Sequence, residues 1–322
     1  MSPKIFLAPM AGITDLPFRL ICKKQGADKV YSEMISSTGL YYNNRRKSLQ
    51  LAKSVPEEGP LAVQLFGNNP THFGYASKVV TNLDKESFEI PYLRTPESID
   101  INFGCPAPKI YRQESGCFLM YRPGDARKIV QEVLANTHLP VSIKIRAGIK
   151  NFSALTFLEK IEDLNWHTLI VHARSYEQGF SGAPDYQLIR EIKKRFPDKE
   201  IIANGGIFTP EDAQKMLEKT LADGLAVARG ALGNPWLFSQ IKEYLKTGHY
   251  TKPSFEEIKK TAQKHAELIK KYKGEGKMME MRKHLGWYFK DFPSAKKLRI
   301  QINSAESFTQ IKNLIKKAGD LA

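Results

Sequence analysis

At 322 residues and 42% apolar content, the chain has length for one large domain and a smaller one, with an ample core. No apolar run approaches the roughly 18 residues that span a bilayer, so a helical membrane protein is excluded. The formal charge of +15 is unevenly placed: residues 240–322 hold 19 of the 49 Lys+Arg but only 9 of the 34 Asp+Glu. That excess reads either as a solvated, Lys-rich surface or as a basic module for a polyanion.

The N-terminus, Met1-Ser2-Pro3-Lys4, leads straight into a strand-like Ile5-Phe6-Leu7 and shows no signal peptide. Short apolar or β-branched runs then recur at Lys4–Pro9, Asp28–Glu33, Leu61–Phe66, Glu97–Asn102, Pro140–Arg146, His167–His172, Lys199–Asn204 and Asp223–Ala228. Helical patterns separate them. Asn69-Pro70 and Thr209-Pro210 each set an N-cap before a proline at the first helical position. Leu155–Leu164, Leu188–Phe196 and Ala213–Leu221 carry apolar residues at helical spacing. Eight strand–helix alternations in about 235 residues is the count of an α/β (β/α)8 TIM barrel. A doubly wound open sheet is the competing layout. It is disfavoured because Gln64, Asn102, Lys144, His172, Asn204 and Arg229 stand at run ends, and only a ring of strands brings them together.

After Asn234-Pro235-Trp236 the strand pattern stops. Ser254-Phe255-Glu256-Glu257 reads as a capping box opening a helix to about Lys273, which Gly274-Glu275-Gly276 breaks. Helical stretches are expected near Lys277–Lys290, Ser294–Ile302 and Ser304–Lys317. The expected division is therefore a barrel over 1–240 and a small, basic, all-α helical domain over 241–322. The segment Asp84–Pro96 is longer than a barrel connection needs.

Several strand ends carry candidate chemistry. Gly104 and Pro106 end the fourth run, leaving Asn102 and Cys105 at the strand end where parallel α/β folds bind ligands. A buried, inert cysteine is the alternative. Cys22, Cys105 and Cys117 are odd in number and lack metal-ligand spacing, which fits a reducing cytoplasm and no metal centre. Asn204-Gly205-Gly206 and Ala228-Arg229-Gly230 follow the seventh and eighth runs, where barrels build phosphate sites from backbone N–H groups. Pro9-Met10-Ala11-Gly12 ends the first run, its small residues letting the backbone lie against a flat ring, and Gln64 offers an amide edge to a heterocycle. Lys144, between Val141, Ile143 and Ile145, faces the barrel interior as a Schiff-base nucleophile or as a cation beside a reduced cofactor. His172 ends its run similarly.

Taken together, Leu7-Ala8-Pro9-Met10-Ala11-Gly12-Ile13-Thr14-Asp15, Gln64-Leu65-Phe66-Gly67 and Asp100-Ile101-Asn102-Phe103-Gly104-Cys105-Pro106 resemble the tRNA-dihydrouridine synthases. The resemblance continues in order through Lys144-Ile145-Arg146, His172-Ala173-Arg174, Gln178-Gly179-Phe180-Ser181-Gly182, Asn204-Gly205-Gly206-Ile207 and Arg229-Gly230-Ala231-Leu232. It reaches Met281-Arg282-Lys283-His284 of the basic region. It implies an FMN-dependent barrel with a helical tRNA-binding domain, reducing uridines with NADPH. By position it implies that Pro9, Met10, Ala11, Gln64, Lys144 and His172 contact the flavin ring region. It likewise implies that Asn204, Gly205, Gly206, Ala228, Arg229 and Gly230 hold the cofactor's phosphate. Cys105 matches the proton donor, while Asn102, Lys109 and Arg174 match positions near the uracil or RNA. Three positions depart: Gly206 replaces a common acidic residue, Ala228 a common glycine, and Cys117 a small loop residue. Cys117 raises the question of a disulfide with Cys105. The target uridine, NADPH over NADH, and subunit number stay open at this level.

Overall fold

The computed structural model describes residues 2–42, 45–84, 88–291 and 295–318. Eight parallel strands close into a ring: β1 (Lys4–Leu7), β2 (Lys29–Tyr31), β3 (Leu61–Phe66), β4 (Ser98–Phe103), β5 (Val141–Arg146), β6 (Thr168–His172), β7 (Glu200–Asn204) and β8 (Gly224–Val227). Each pairs with the next, and β8 returns to β1 with Lys4 opposite Gly224. The sheet is thus a closed TIM barrel, and the open doubly wound layout is ruled out.

Period-two alternation explains the ring. Ile99, Ile101 and Phe103 point outward into the main core under the helices, while Ser98, Asp100 and Asn102 point inward. The interior is plugged by Phe6, Tyr31, Ala62, Ile170, Ile202 and Ala226. Above that plug, at the strands' carboxyl ends, the inward positions turn polar.

Both expected proline-led helices form, Pro70–Thr81 and Pro210–Thr220, with Asn69 and Thr209 accepting from N3 amides. The Leu155–Leu164 pattern forms a helix only over Ala154–Leu158. Beyond it the amides of Lys160, Ile161 and Leu164 bond three residues back, and the Trp166 indole takes the Ile161 carbonyl at 2.9 Å. These tight turns drop the chain into β6.

The helix Leu237–Thr247 buries Leu237, Phe238 and Ile241 in the barrel's core. Ser254 then caps Phe255–Lys273 through a full capping box. The Lys277–Lys290 pattern splits into a 3-10 stretch, Glu275–Glu280, and a helix, Met281–Tyr288. Ala295–Ser304 and Phe308–Lys317 complete the set, the latter capped by Ser307 with Gln310. The expected start at Ser294 lies outside the described residues. These helices share a separate core of Trp236, Ala266, Ile269, Met281, Leu285 and Ile311.

The two cores meet along a short seam. Leu16, Ile21 and Val55 of the barrel pack on Leu268 and Tyr272, and Phe18 lies against His265 and His284. Lys273 binds Asp15 at 2.6 Å, and the Lys283 ammonium donates to the Gly12 carbonyl. The long segment 88–96 joins this seam: the Tyr92 carbonyl accepts from Ser54, and its ring sits edge-on to Tyr272 at 5.0 Å. Residues 85–87 of the longer Asp84–Pro96 connection lie outside the described residues.

Candidate active site

A cleft of about 390 Å³ opens at the carboxyl ends of the strands. Of the sequence-derived candidates, Pro9, Met10, Ala11, Gln64, Asn102, Cys105, Lys144, His172, Asn204, Gly205, Gly206, Ala228, Arg229 and Gly230 line it. Two do not. Lys109 is exposed on the short helix Pro108–Arg112, two residues beyond the lining residue Ala107. Arg174 is buried behind the wall, its Nε donating to the Gly182 carbonyl at 2.9 Å.

The floor is a hydrogen-bonded relay anchored on a residue that the sequence did not flag. Asp100 is fully buried, accepting from Gln64 Nε2 at 2.6 Å and from the Ser142 hydroxyl at 2.5 Å. Gln64 Oε1 in turn accepts from Asn102 Nδ2 at 2.8 Å. Asn102 Oδ1 then accepts the amides of Gly104 and Cys105, at 3.1 and 2.9 Å. The relay orients the Gln64 amide and fixes the turn that carries the thiol. Burial raises the Asp100 pKa, opposed by the Ser142 and Gln64 bonds and by the Lys144 charge.

The Cys105 thiol is half-buried, and burial lifts its pKa above the ordinary value despite nearby Lys144 and Arg146. It is therefore a protonated thiol at neutral pH. Cys117 is also free, and burial pushes its pKa up to about 12. Its amide donates to the Cys105 carbonyl at 3.1 Å, so the two are neighbours without a disulfide.

Lys144 meets the cleft from β5, with its pKa lowered to about 8 by burial and then by Arg146, against the opposing pull of Asp100. Below pH 8 the ammonium is charged in both the folded and the unfolded chain, so the burial cost is present in full. Between pH 8 and 10.5 the folded chain loses its proton first, and stability rises with pH. Lys144→Met is expected to stabilise the cofactor-free protein by about 1–3 kcal/mol at pH 7 and to have little effect at pH 10.5. Urea unfolding at the two pH values checks this.

His172 has its pKa driven down to about 2 by burial and then by Lys144, Arg146 and Arg174, so its imidazole is neutral. Its Nδ1 is buried without a hydrogen-bond partner, as is Nη1 of Arg174. The orphaned His172 Nδ1, on a cleft-lining residue beside a cationic cluster, fits a polar ligand that carries negative charge. The glycine loop agrees. Gly205 stands at φ +105°, where an added Cβ would come within 3.0 Å of the His172 ring. A Cβ at Gly230 would meet the Ile207 carbonyl oxygen at 2.2 Å. The residues present thus fit a flat, phosphate-bearing cofactor. Gly205→Ala is expected to lower affinity for such a cofactor at least tenfold by displacing His172 and straining the loop. The absorbance of whatever cofactor the purified variant retains, against wild type, is the check.

Arg146 and Phe180 appeared in the sequence only as motif letters. Arg146 donates to the carbonyls of Gly104, Ser175 and Gly179, at 3.1, 2.8 and 2.8 Å, tying the Cys105 turn to the loop over the cleft. Phe180, at that loop's tip, receives Arg229 at 4.2 Å and Arg146 at 5.5 Å on its ring.

Comparison with known proteins gives the same direction. The family model described as dihydrouridine synthase matches residues 6–321. The chain is 33% identical over 99% of its length to a probable tRNA-dihydrouridine synthase 1 of Synechocystis sp., covering 87% of that protein. It is 34% identical over 95% of its length to tRNA-dihydrouridine synthase B of Xanthomonas axonopodis pv. citri, covering 90% of it. With a probable tRNA-dihydrouridine synthase of Rickettsia bellii the identity is 36% over 98% of this chain and 94% of that one. Among solved structures, a 6-hydroxypseudooxynicotine amine oxidase from Pseudomonas geniculata superposes with TM-score 0.55 at 13% identity, over 76% of this chain. A histamine dehydrogenase from Rhizobium sp. does so with TM-score 0.53 at 12% identity, over 82% of this chain. This chain spans about half of each of those longer proteins, at 48% and 49%, and shares their barrel fold. The chain belongs to the dihydrouridine synthase family.

Proposed function

We propose that this enzyme reduces specific uridines in tRNA to 5,6-dihydrouridine, using FMN held in the barrel mouth and NADPH as electron source. The observation that carries the reading is the juxtaposition of a protonated Cys105 thiol with Lys144, neutral His172 and the glycine loops around one cleft. When bound there, FMN would supply the hydride chemistry, taking electrons from NADPH and delivering a hydride to the uracil C5=C6 bond.

The residues take the remaining tasks. Cys105 gives its proton to C5, and Lys144 and Arg146 stabilise the thiolate that remains until solvent reprotonates it. Lys144 would also offset negative charge on the reduced cofactor, and Pro9, Met10, Ala11 and Gln64, which line the same cleft, would hold its ring. His172 Nδ1 and the amides of Asn204–Gly206 and Ala228–Gly230, with Arg229, serve the ring edge and the phosphate. Asn102 faces the uracil, while Lys109 and Arg174 act at the RNA and the phosphate loop respectively.

A base inside a stacked RNA cannot reach this cleft, and extruding it costs a few kcal/mol. Backbone contacts from the basic residues of 241–322 would offset that cost, and this charge excess supports reading that part of the chain as the tRNA-binding region. Among the described residues no helix is long and apolar enough to cross a membrane, and no cluster of three or more His, Cys, Asp or Glu could hold a metal. A reducing, cytoplasmic setting with tRNA as partner is consistent with three free thiols.

The test supplies the purified protein with FMN, NADPH and either an unmodified tRNA transcript or free uridine. Dihydrouridine in the tRNA alone is the expected result. Reduction of free uridine alone would replace this reading with a small-molecule pyrimidine reductase. Tight tRNA binding with no flavin and no reduction would leave a non-catalytic RNA-binding protein, and borohydride trapping on Lys144 an aldolase.

A further inference from the structure

We propose that Tyr42, Tyr41 and His72 form a stacking platform on the cleft rim for an unpaired base of the RNA substrate, outside the base that enters the barrel. The proposal rests on the tRNA reading above and adds a second recognition point to it. Tyr42 is 62% exposed and Tyr41 38% exposed, yet both rings are held in place. Tyr41 lies face-on to His72, with centroids 4.3 Å apart, and Tyr42 stands edge-on to both, at 5.0 and 5.2 Å. The hydroxyl of Thr38 fixes the His72 ring through Nδ1 at 3.1 Å. Burial holds the His72 pKa below its ordinary value, so the ring presents as a neutral aromatic face at pH 7.

Charge selects the partner. Arg45, Arg46 and Lys47 are exposed next in the described chain, and among the described residues none of the three has a carboxylate within 4.0 Å. Pre-ordered aromatic rings beside unneutralised cations are the pattern that binds single-stranded nucleic acid, with bases on the rings and phosphates on the cations.

Position supplies the rest. The two-residue strand Ile35–Ser36 pairs with Leu65 and Phe66 at the carboxyl end of β3, and Met34 just before it lines the cleft. His72 lies in the first turn of the helix that leaves that same strand end. From Met34 to Tyr42 the chain runs eight residues, five of them helical, which keeps Tyr42 within about 20 Å of the cleft. None of the three rings lines the cleft itself, so the platform suits a nucleotide near the extruded base rather than that base.

The experiment compares wild type, Tyr42→Ala and Tyr42→Phe for dissociation constants and KM with an unmodified tRNA transcript, and for NADPH-driven flavin reduction without RNA. Tyr42→Ala is expected to raise Kd and KM roughly tenfold, with the salt slope of binding and the flavin reduction unchanged. Tyr42→Phe keeps the ring and is expected to bind like wild type. Wild-type Kd in Tyr42→Ala, or equal loss in Tyr42→Phe, overturns the platform. So does loss of self-association in Tyr42→Ala with RNA affinity intact, which would make the patch a contact between copies of this chain. Tyr42-dependent RNA binding without any dihydrouridine overturns the functional reading and leaves the platform standing.

Discussion

Replacing Cys105 with alanine is expected to lower dihydrouridine formation by about 10²–10⁴-fold while flavin content and tRNA affinity stay at wild-type levels. The size follows from the task. Hydride addition to a conjugated C5=C6 bond leaves an enolate that needs a proton at C5, and the cleft offers few acids. Lys144 sits at a pKa of about 8, but its charge is wanted beside the cofactor, and His172 is neutral and far too weakly basic to carry a proton at pH 7. The Cys105 thiol is protonated, half-buried and anchored through its amide to Asn102, whose Nδ2 is held by Gln64. Single-turnover oxidation of the reduced flavin by tRNA reads the loss directly. Unchanged turnover in Cys105→Ala would assign the proton to another donor.

The second large effect concerns stability. Arg19 and Glu58 are 1% and 0% exposed, with Arg19 Nε donating to the Glu58 carboxylate. The same guanidinium donates to the Thr14 carbonyl at 2.7 Å and to the Lys53 carbonyl at 2.5 Å. Arg19→Met strands a buried carboxylate and two carbonyls, and is expected to cost about 3–5 kcal/mol. Arg19→Met combined with Glu58→Leu removes the stranded charge and is expected to recover much of that loss. The consequence reaches the cleft, because the amides of Ile13 and Thr14 both bond the Met10 carbonyl in the loop that lines it. Urea midpoints of wild type and both variants check the effect, and a single variant as stable as wild type would contradict it.

The barrel was legible because its eight strands alternate and its helices start at proline-led caps, both local signals. Most of the cleft was legible for a related reason: polar residues at the ends of apolar runs have few other places to go. The helix in the Leu155–Leu164 stretch is shorter than its apolar pattern implies, since the Trp166 indole captures a carbonyl that such a pattern cannot foretell. No site role falls to Asp100 from the sequence, although a charge between Ile99 and Ile101, in phase with Asn102, is itself a signal for an inward, partnered carboxylate. Arg146 and Phe180 work through loops brought together from β4, β5 and β6, so no single window of sequence reveals their contacts. Arg174 ends behind the cleft wall because its Nε is taken by Gly182 eight residues on. The seam at Gly12, Asp15, Lys273 and Lys283 joins positions more than 250 residues apart, and only the folded chain shows it.

The most direct measurement of the central claim is a map of dihydrouridine across the tRNAs of cells with and without this gene, complemented by wild type or by Cys105→Ala. Loss of dihydrouridine at defined positions, restored by wild type and not by Cys105→Ala, is the predicted result. An unchanged map, or full restoration by Cys105→Ala, would contradict it.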